Sequence, residues 1–245
     1  MRLLSALACL LLLAGCGGAW NNPYPAAERG KNILYSAFTE RPKHLDPVQS
    51  YSENEAEINA QIYEPPLQYH YLKRPYTLIP ATATEVPKPI YLDAAGRRLP
   101  DGANNVEFSL YEIHIKPGIR YQPHPAFASD GAGRPLYQNL SRAAIAPMWK
   151  LSDFGNTGTR ELRAEDYVYQ IKRLAHPRLY SPIFGLISEY IVGLKELADT
   201  LKKANQELQR RGDRDAWIDL SKYPVAGVEE VDRYTYRIKV KGRYP

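Results

Sequence analysis

The sequence predicts a mixed α/β fold, and three observations carry that prediction. Residues 106–115 and 234–240 alternate along the chain with a period of two, the mark of half-buried strands. Residues 164–176 and 182–211 place apolar side chains at helical spacing, the mark of amphipathic helices. The chain of 245 residues is also long enough to bury a core of its own.

Taken in order, the elements begin with a targeting segment. Arg2 precedes residues 3–13, which are almost all Leu and Ala. This is the layout of a secretory signal, and it is too short to span a bilayer stably. Leu13-Ala14-Gly15-Cys16 resembles the lipobox of bacterial lipoproteins. That resemblance implies cleavage after Gly15, a diacylglycerol thioether on Cys16, and a mature chain lipid-anchored to a membrane on the periplasmic side of the envelope. The alternative is a plain secretory signal cut at a later site. Residues 1–15 therefore read as signal, 16–31 as a flexible tether rich in Asn, Pro, Ala and Gly, and 32–245 as the folded part. With Cys9 removed and Cys16 lipidated, no cysteine is left for a disulfide, a thiol nucleophile or a thiolate metal site.

Within the folded part, Ile33-Leu34-Tyr35 suggests a short buried strand. Residues 42–47 form a connector with two prolines. Residues 53–63 have good helix formers and only a ragged apolar face (Ala56, Ile58, Ala60, Ile62), ended by Pro65. Glu53, Glu55 and Glu57 read as the wet face of that helix. Residues 75–89, with several prolines, read as extended chain. Residues 90–92 and 106–115 suggest a hairpin with a longish loop, followed by a Pro117-Gly118 turn. Residues 122–159 are Pro-, Gly- and Ala-rich and read as an irregular insertion. The helix over 164–176 opens with Glu165 and Asp166 and closes with Lys172 and Arg173, an order that complements its dipole. One longer helix is expected over 182–211, with Gly212 ending it. Residues 234–240 form a strand with Tyr234, Tyr236, Ile238 and Val240 on one side, after which the chain reads as though it should continue.

The net charge of +5 is spread along the chain and mixed with acids, which argues against a nucleic-acid partner. Nineteen Tyr stand against five Phe. Tyr suits wet clefts for polar organic ligands as well as ordinary half-buried strands. The search for catalysis is empty. His44, His70, His114, His124 and His176 lack metal-binding spacing, no nucleophile-elbow motif occurs, and Gly131-Ala132-Gly133 lacks the context of a dinucleotide loop. No catalytic residue, metal or cofactor is assigned, and a binding protein is expected rather than an enzyme.

Several segments, in order, resemble the family 5 extracellular solute-binding proteins, the oligopeptide, dipeptide and nickel class that feeds ABC importers. They are Leu45-Asp46-Pro47, Ile62-Tyr63-Glu64-Pro65-Pro66-Leu67, Leu78-Ile79-Pro80-Ala81, residues 111–121, residues 162–169 and Asp232-Arg233-Tyr234-Thr235. Thr82, Ala83 and Thr84 depart from the family pattern, as does the insertion that follows Tyr121. The resemblance implies the first lobe of a type II periplasmic-binding clamp, a mixed sheet with flanking helices, and covers residues 33–240. The second lobe is not represented, so the chain reads as the N-terminal portion.

The resemblance further implies that two lobes close on a peptide or similar solute and that the closed form docks on ABC permease subunits. Ligand contact falls on the segment after Leu-Asp-Pro, here Ser50, Tyr51, Ser52 and Glu53. A plain helix N-terminus with Ser52 as its cap accounts for the same residues. The alternative function is a free-standing, one-lobe structural or sensory lipoprotein that binds a protein partner.

Overall fold

The computed structural model describes residues 24–138, 140–213 and 216–244. The signal segment and Cys16 lie outside the described residues. Residues up to Glu40 form one unit and Arg41–Pro245 a second.

In the first unit, residues 32–38 form no strand, and Leu34 is fully open to solvent. This corrects the buried strand expected at Ile33-Leu34-Tyr35. Three apolar residues bury only through a paired neighbour, and this run belongs to neither sheet. Tyr35 instead stacks on Tyr24 at 3.6 Å and donates its hydroxyl to Glu28.

The second unit is α/β. Its elements are α1 (Glu53–Asn59), β1 (Leu67–Tyr69), β2 (Leu78–Pro80), β3 (Ile90–Leu92), β4 (Phe108–His114), α2 (Arg142–Ile145), α3 (Ala164–Leu174), α4 (Phe184–Tyr190), α5 (Leu194–Arg210), β5 (Val228–Asp232) and β6 (Thr235–Lys241). β1 and β2 form a two-stranded sheet, and the larger sheet has the order β3-β4-β6-β5. Every strand pair is antiparallel, where a mixed sheet is the sequence expectation.

The period-two patterns place the core. Ile113 faces Tyr236, Tyr111 faces Ile238 and Val228 also faces Ile238, all on one side of the sheet. Val168 of α3 and Leu194, Leu197 and Leu201 of α5 join them, with Ile115, Leu162, Ile218 and Leu220 closing the cluster. The opposite side carries charge. Glu112 accepts from Arg237 at 2.7 Å, and Lys239 lies over the Phe108 ring at 5.4 Å. This is the division expected of an antiparallel sheet with one face covered.

Two helix expectations need correction. The first helix stops at Asn59 and a turn carries the chain to Ile62, ahead of Pro65 and Pro66. The long helix over 182–211 is broken at residues 191–193. The Val192 N–H donates to the Lys239 carbonyl (3.1 Å), and Gly193 takes a left-handed backbone with φ of 81°. The break lets this stretch bond to the end of β6, a gain that a continuous helix would forgo.

The insertion over 122–159 is irregular apart from α2 and two short 3-10 turns. It closes at its neck through His124 and Gly158, which exchange backbone hydrogen bonds of 2.8 and 3.1 Å.

The break also needs a glycine opposite it. A Cβ on Gly227 would lie 2.5 Å from the Val192 carbonyl oxygen and 2.8 Å from that of Lys239. Gly227→Ala should therefore destabilise the protein by about 1–3 kcal/mol through overpacking. Urea unfolding would read this as a lower midpoint at unchanged slope, and an unshifted midpoint would contradict the close approach.

Candidate functional site

The segment that the resemblance assigns to ligand contact is organised by one carboxylate. Glu55 sits in the first turn of α1, three residues after the N-cap Ser52. From there it reaches back over the chain that leads into the helix. One carboxylate oxygen accepts the Lys43 and His44 N–H groups, both at 2.8 Å. The other accepts those of Tyr51 at 3.0 Å and Ser52 at 3.2 Å. Glu55 is only 3% exposed. Its carboxyl is held far below the ordinary range, first by the His44 N–H and then by that of Tyr51, against the opposing effect of burial.

The wet-face reading of the three glutamates holds for Glu53 and Glu57, which are exposed, and fails for Glu55. The signal that could have found it is Ser52-Glu53-Asn54-Glu55, the spacing of a capping box. In that arrangement the acid turns back to the N-cap and is drawn inward.

Asp46 fixes the other end of the same loop. Its carboxylate accepts the Val48 N–H at 3.0 Å and takes both arms of Arg173, from α3, at 3.1 and 2.5 Å. The Asp46 carbonyl accepts the N–H groups of Gln49 (2.9 Å) and Ser50 (2.8 Å), and Val48 is fully buried beneath. Residues 43–52 are thus tied to two helices.

Ser50, Tyr51, Ser52 and Glu53 come out side by side on the resulting lip. Ser50 is half-buried, Tyr51 is 76% exposed, and Ser52 and Glu53 are exposed. The backbone donors of residues 50–52 all point inward. What faces outward is the Tyr51 ring and short polar side chains, a surface suited to a polar organic ligand. Ser52 also stands at the N-cap position of α1, as its residue type favours.

A cleft of about 410 Å³ lies elsewhere, between α3 and the segment that includes β5. Val168, Lys172, Ser221, Val225, Glu229 and Glu230 line it, and no residue of the lip does. Lys172 is buried there and donates to the Leu220 carbonyl at 3.4 Å. Burial lowers the Lys172 pKa, and burial with Glu165 nearby raises that of Glu230. Lys172 follows Val168 by four residues, so helical spacing puts it on the buried face of α3 with Ala164 and Val168.

At the other end of α3, Asp166 accepts the Arg163 N–H at 2.9 Å and both arms of Arg160, a role at the helix start. Among the described residues, no group of three His, Cys, Asp or Glu is placed to hold a metal ion. No described helix is long and apolar enough to cross a membrane. No protein-family model matches the chain, and no curated protein is significantly similar to it.

The acid response follows from the carboxylates. Glu161 is drawn down to about 2 by Arg233, the Gly118 N–H and the Tyr234 hydroxyl, and Glu55 is held lower by its backbone donors. Both are more acidic folded than unfolded. Each therefore contributes stability above the ordinary glutamate value of 4.5, and that stability is lost as pH falls toward 2 and below. Glu55→Gln should lower the melting temperature at pH 7, because its amide would turn donors toward the Tyr51 and Ser52 N–H groups. It should also flatten the loss of stability below pH 4.5. A variant that melts with the unchanged acid profile would rule out the carboxylate as the organiser of the loop.

Proposed function

We propose that this chain is a lipid-anchored solute-binding component of a peptide-type ABC importer. Residues 32–245 then correspond to the first lobe of its clamp, which captures peptides or similar solutes for the permease subunits. One observation carries this reading: the segment after Leu45-Asp46-Pro47, where the resemblance puts ligand contact, is a lip locked by Glu55 and by Asp46 with Arg173.

A lip fixed before the ligand arrives loses little conformational freedom on binding, so more of each contact appears as affinity. The Tyr51 ring offers a flat apolar face with a hydroxyl at its tip, which tolerates varied side chains without demanding one. In a hinged clamp the first lobe supplies only part of the contacts, and closure of the two lobes supplies the rest. The ligand affinity of this lobe is accordingly weak by itself.

Two measurements test the proposal. Hydrogen-exchange mass spectrometry of the full chain with a mixture of short peptides at ~1 mM, a concentration matched to weak binding, should show altered exchange at residues 50–53. Tyr51→Ala should abolish that change, and exchange unaltered at the lip would reject peptide capture there. Separately, Cys16→Ser should block incorporation of labelled fatty acid and leave the protein removable from the membrane fraction by a high-salt wash. A variant that still takes up the fatty acid, or resists the salt wash, would reject the anchor.

A further inference from the structure

The β1–β2 hairpin ends in a tip, residues 70–77, that the proposed binding role does not use. Its outward side chains are unusual for a solvated loop. Tyr71 is 89% exposed and Leu72 is 77% exposed, and Tyr69 and Tyr76 beside them are also exposed. Lys73 and Arg74 stand among these rings, and no acidic residue occurs between Glu64 and Glu85.

The tip is also built to hold its shape. The His70 N–H donates to the Thr77 carbonyl at 2.8 Å. The ring Nδ1 of His70 accepts the N–H groups of Leu72 and Lys73, both at 3.2 Å. The Arg74 guanidinium donates to the carbonyls of Tyr71 (3.3 Å) and Lys73 (2.9 Å), and the Thr77 hydroxyl donates to that of Pro75 (3.2 Å). Tyr69 packs edge-on to Tyr76 at 5.7 Å, and Arg74 lies over the Tyr76 ring at 4.5 Å.

We infer that this hairpin tip is a membrane-contact element that seats Tyr71, Leu72 and Tyr76 in the interface of an anionic phospholipid surface. Three features favour lipid over a protein partner. Seven tip backbone groups are satisfied within the tip, so moving it into a poorly hydrated layer leaves them bonded. Tyrosines flanking one leucine are the side chains that settle at the headgroup boundary. Two cations without a neighbouring acid complement an anionic headgroup layer, each strengthening attachment about fivefold near the surface. The anchored reading of Cys16 brings the chain to a membrane, whereas the contact inferred here belongs to the hairpin and is tested apart from it.

The full chain is incubated with vesicles of phosphatidylcholine and phosphatidylglycerol in equal parts, with a trace of phospholipid carrying a photoactivatable diazirine in its acyl chain. Lipid adducts are then mapped by mass spectrometry. The expected result is adducts concentrated on residues 69–76, well above those on the exposed Trp149 and Leu186. They should fall about fivefold or more with Lys73→Glu or with pure phosphatidylcholine, and vanish with the double variant Tyr71→Ser/Leu72→Ser. Circular dichroism confirms that each variant remains folded. Adducts on 69–76 in a Cys16→Ser chain support the hairpin even where the anchor reading fails. Adducts confined to the N-terminal segment overturn the hairpin contact and leave the anchor standing. Failure to associate with either vesicle overturns the hairpin contact. Capture of the tip by a protein partner, with no lipid adduct, also overturns it.

Discussion

The pairing of β4 with β6 is the constraint on which the rest of the fold depends. It joins segments far apart in the chain, as the Glu112–Arg237 ion pair spans 125 positions. Closing so long a loop is entropically costly, so the register must be repaid by burial along its length. Ile113 against Tyr236 and Tyr111 against Ile238 supply that burial on one face, while Glu112 and Arg237 satisfy each other on the opposite face. A slip of one residue would send the charged pair into the core and the apolar pairs into water. With that register set, the neighbouring parts acquire fixed addresses. The Thr84 N–H docks on the His114 carbonyl, Val192 bonds to Lys239, and Ile115 donates to the Tyr234 carbonyl.

The strands of this ladder were legible in the sequence because each has one wet and one dry face, and alternation is the direct imprint of that division. α3 was legible for a related reason, since its acids and bases fall at the ends where the helix dipole favours them. The break before Leu194 was hidden, because Ile187, Ile191, Leu194 and Leu201 keep helical spacing across it. Gly193 was the visible mark, but its left-handed backbone is required by a sheet end that only the folded chain brings near. β1 and β2 left no periodic trace, as three residues cannot display an alternation. Ile33-Leu34-Tyr35 shows the reverse failure, where an apolar run resembles a strand and has no partner.

The fastening of residues 43–52 was not legible in the sequence. Sequence reading placed Ser50, Tyr51, Ser52 and Glu53 together and counted Glu55 among the solvated acids. A buried carboxylate with four backbone donors leaves no hydrophobic signature, and its only local sign is the Ser-x-x-Glu spacing. Charge is what makes it effective. A neutral side chain could accept fewer of those N–H groups, and the unpaired remainder would be buried donors. The Asp46–Arg173 pair is still less legible, since 127 positions separate its members. Together they convert an irregular, proline-bounded stretch into a fixed surface.

The stretch Thr82–Thr84 ties the hairpin to the body. Thr82 is buried, its hydroxyl donating to the Pro65 carbonyl at 3.2 Å and meeting the Tyr167 hydroxyl at 2.6 Å. Tyr167 in turn donates to the Glu64 carbonyl at 3.1 Å and stacks on Tyr236, at the centre of the core. The hairpin base is therefore bonded to α3 and to β6 through one chain of hydroxyls and rings. This gives the excess of Tyr over Phe a physical reading. Inside, the ring supplies packing while the hydroxyl finds a backbone acceptor, which Phe could not do. Outside, the same hydroxyl keeps a hydrated tip on a ring that would otherwise be a purely apolar exposure. One residue type thus serves both the rigid base of the hairpin and its open end, and the rigidity of the first gives the second a defined direction.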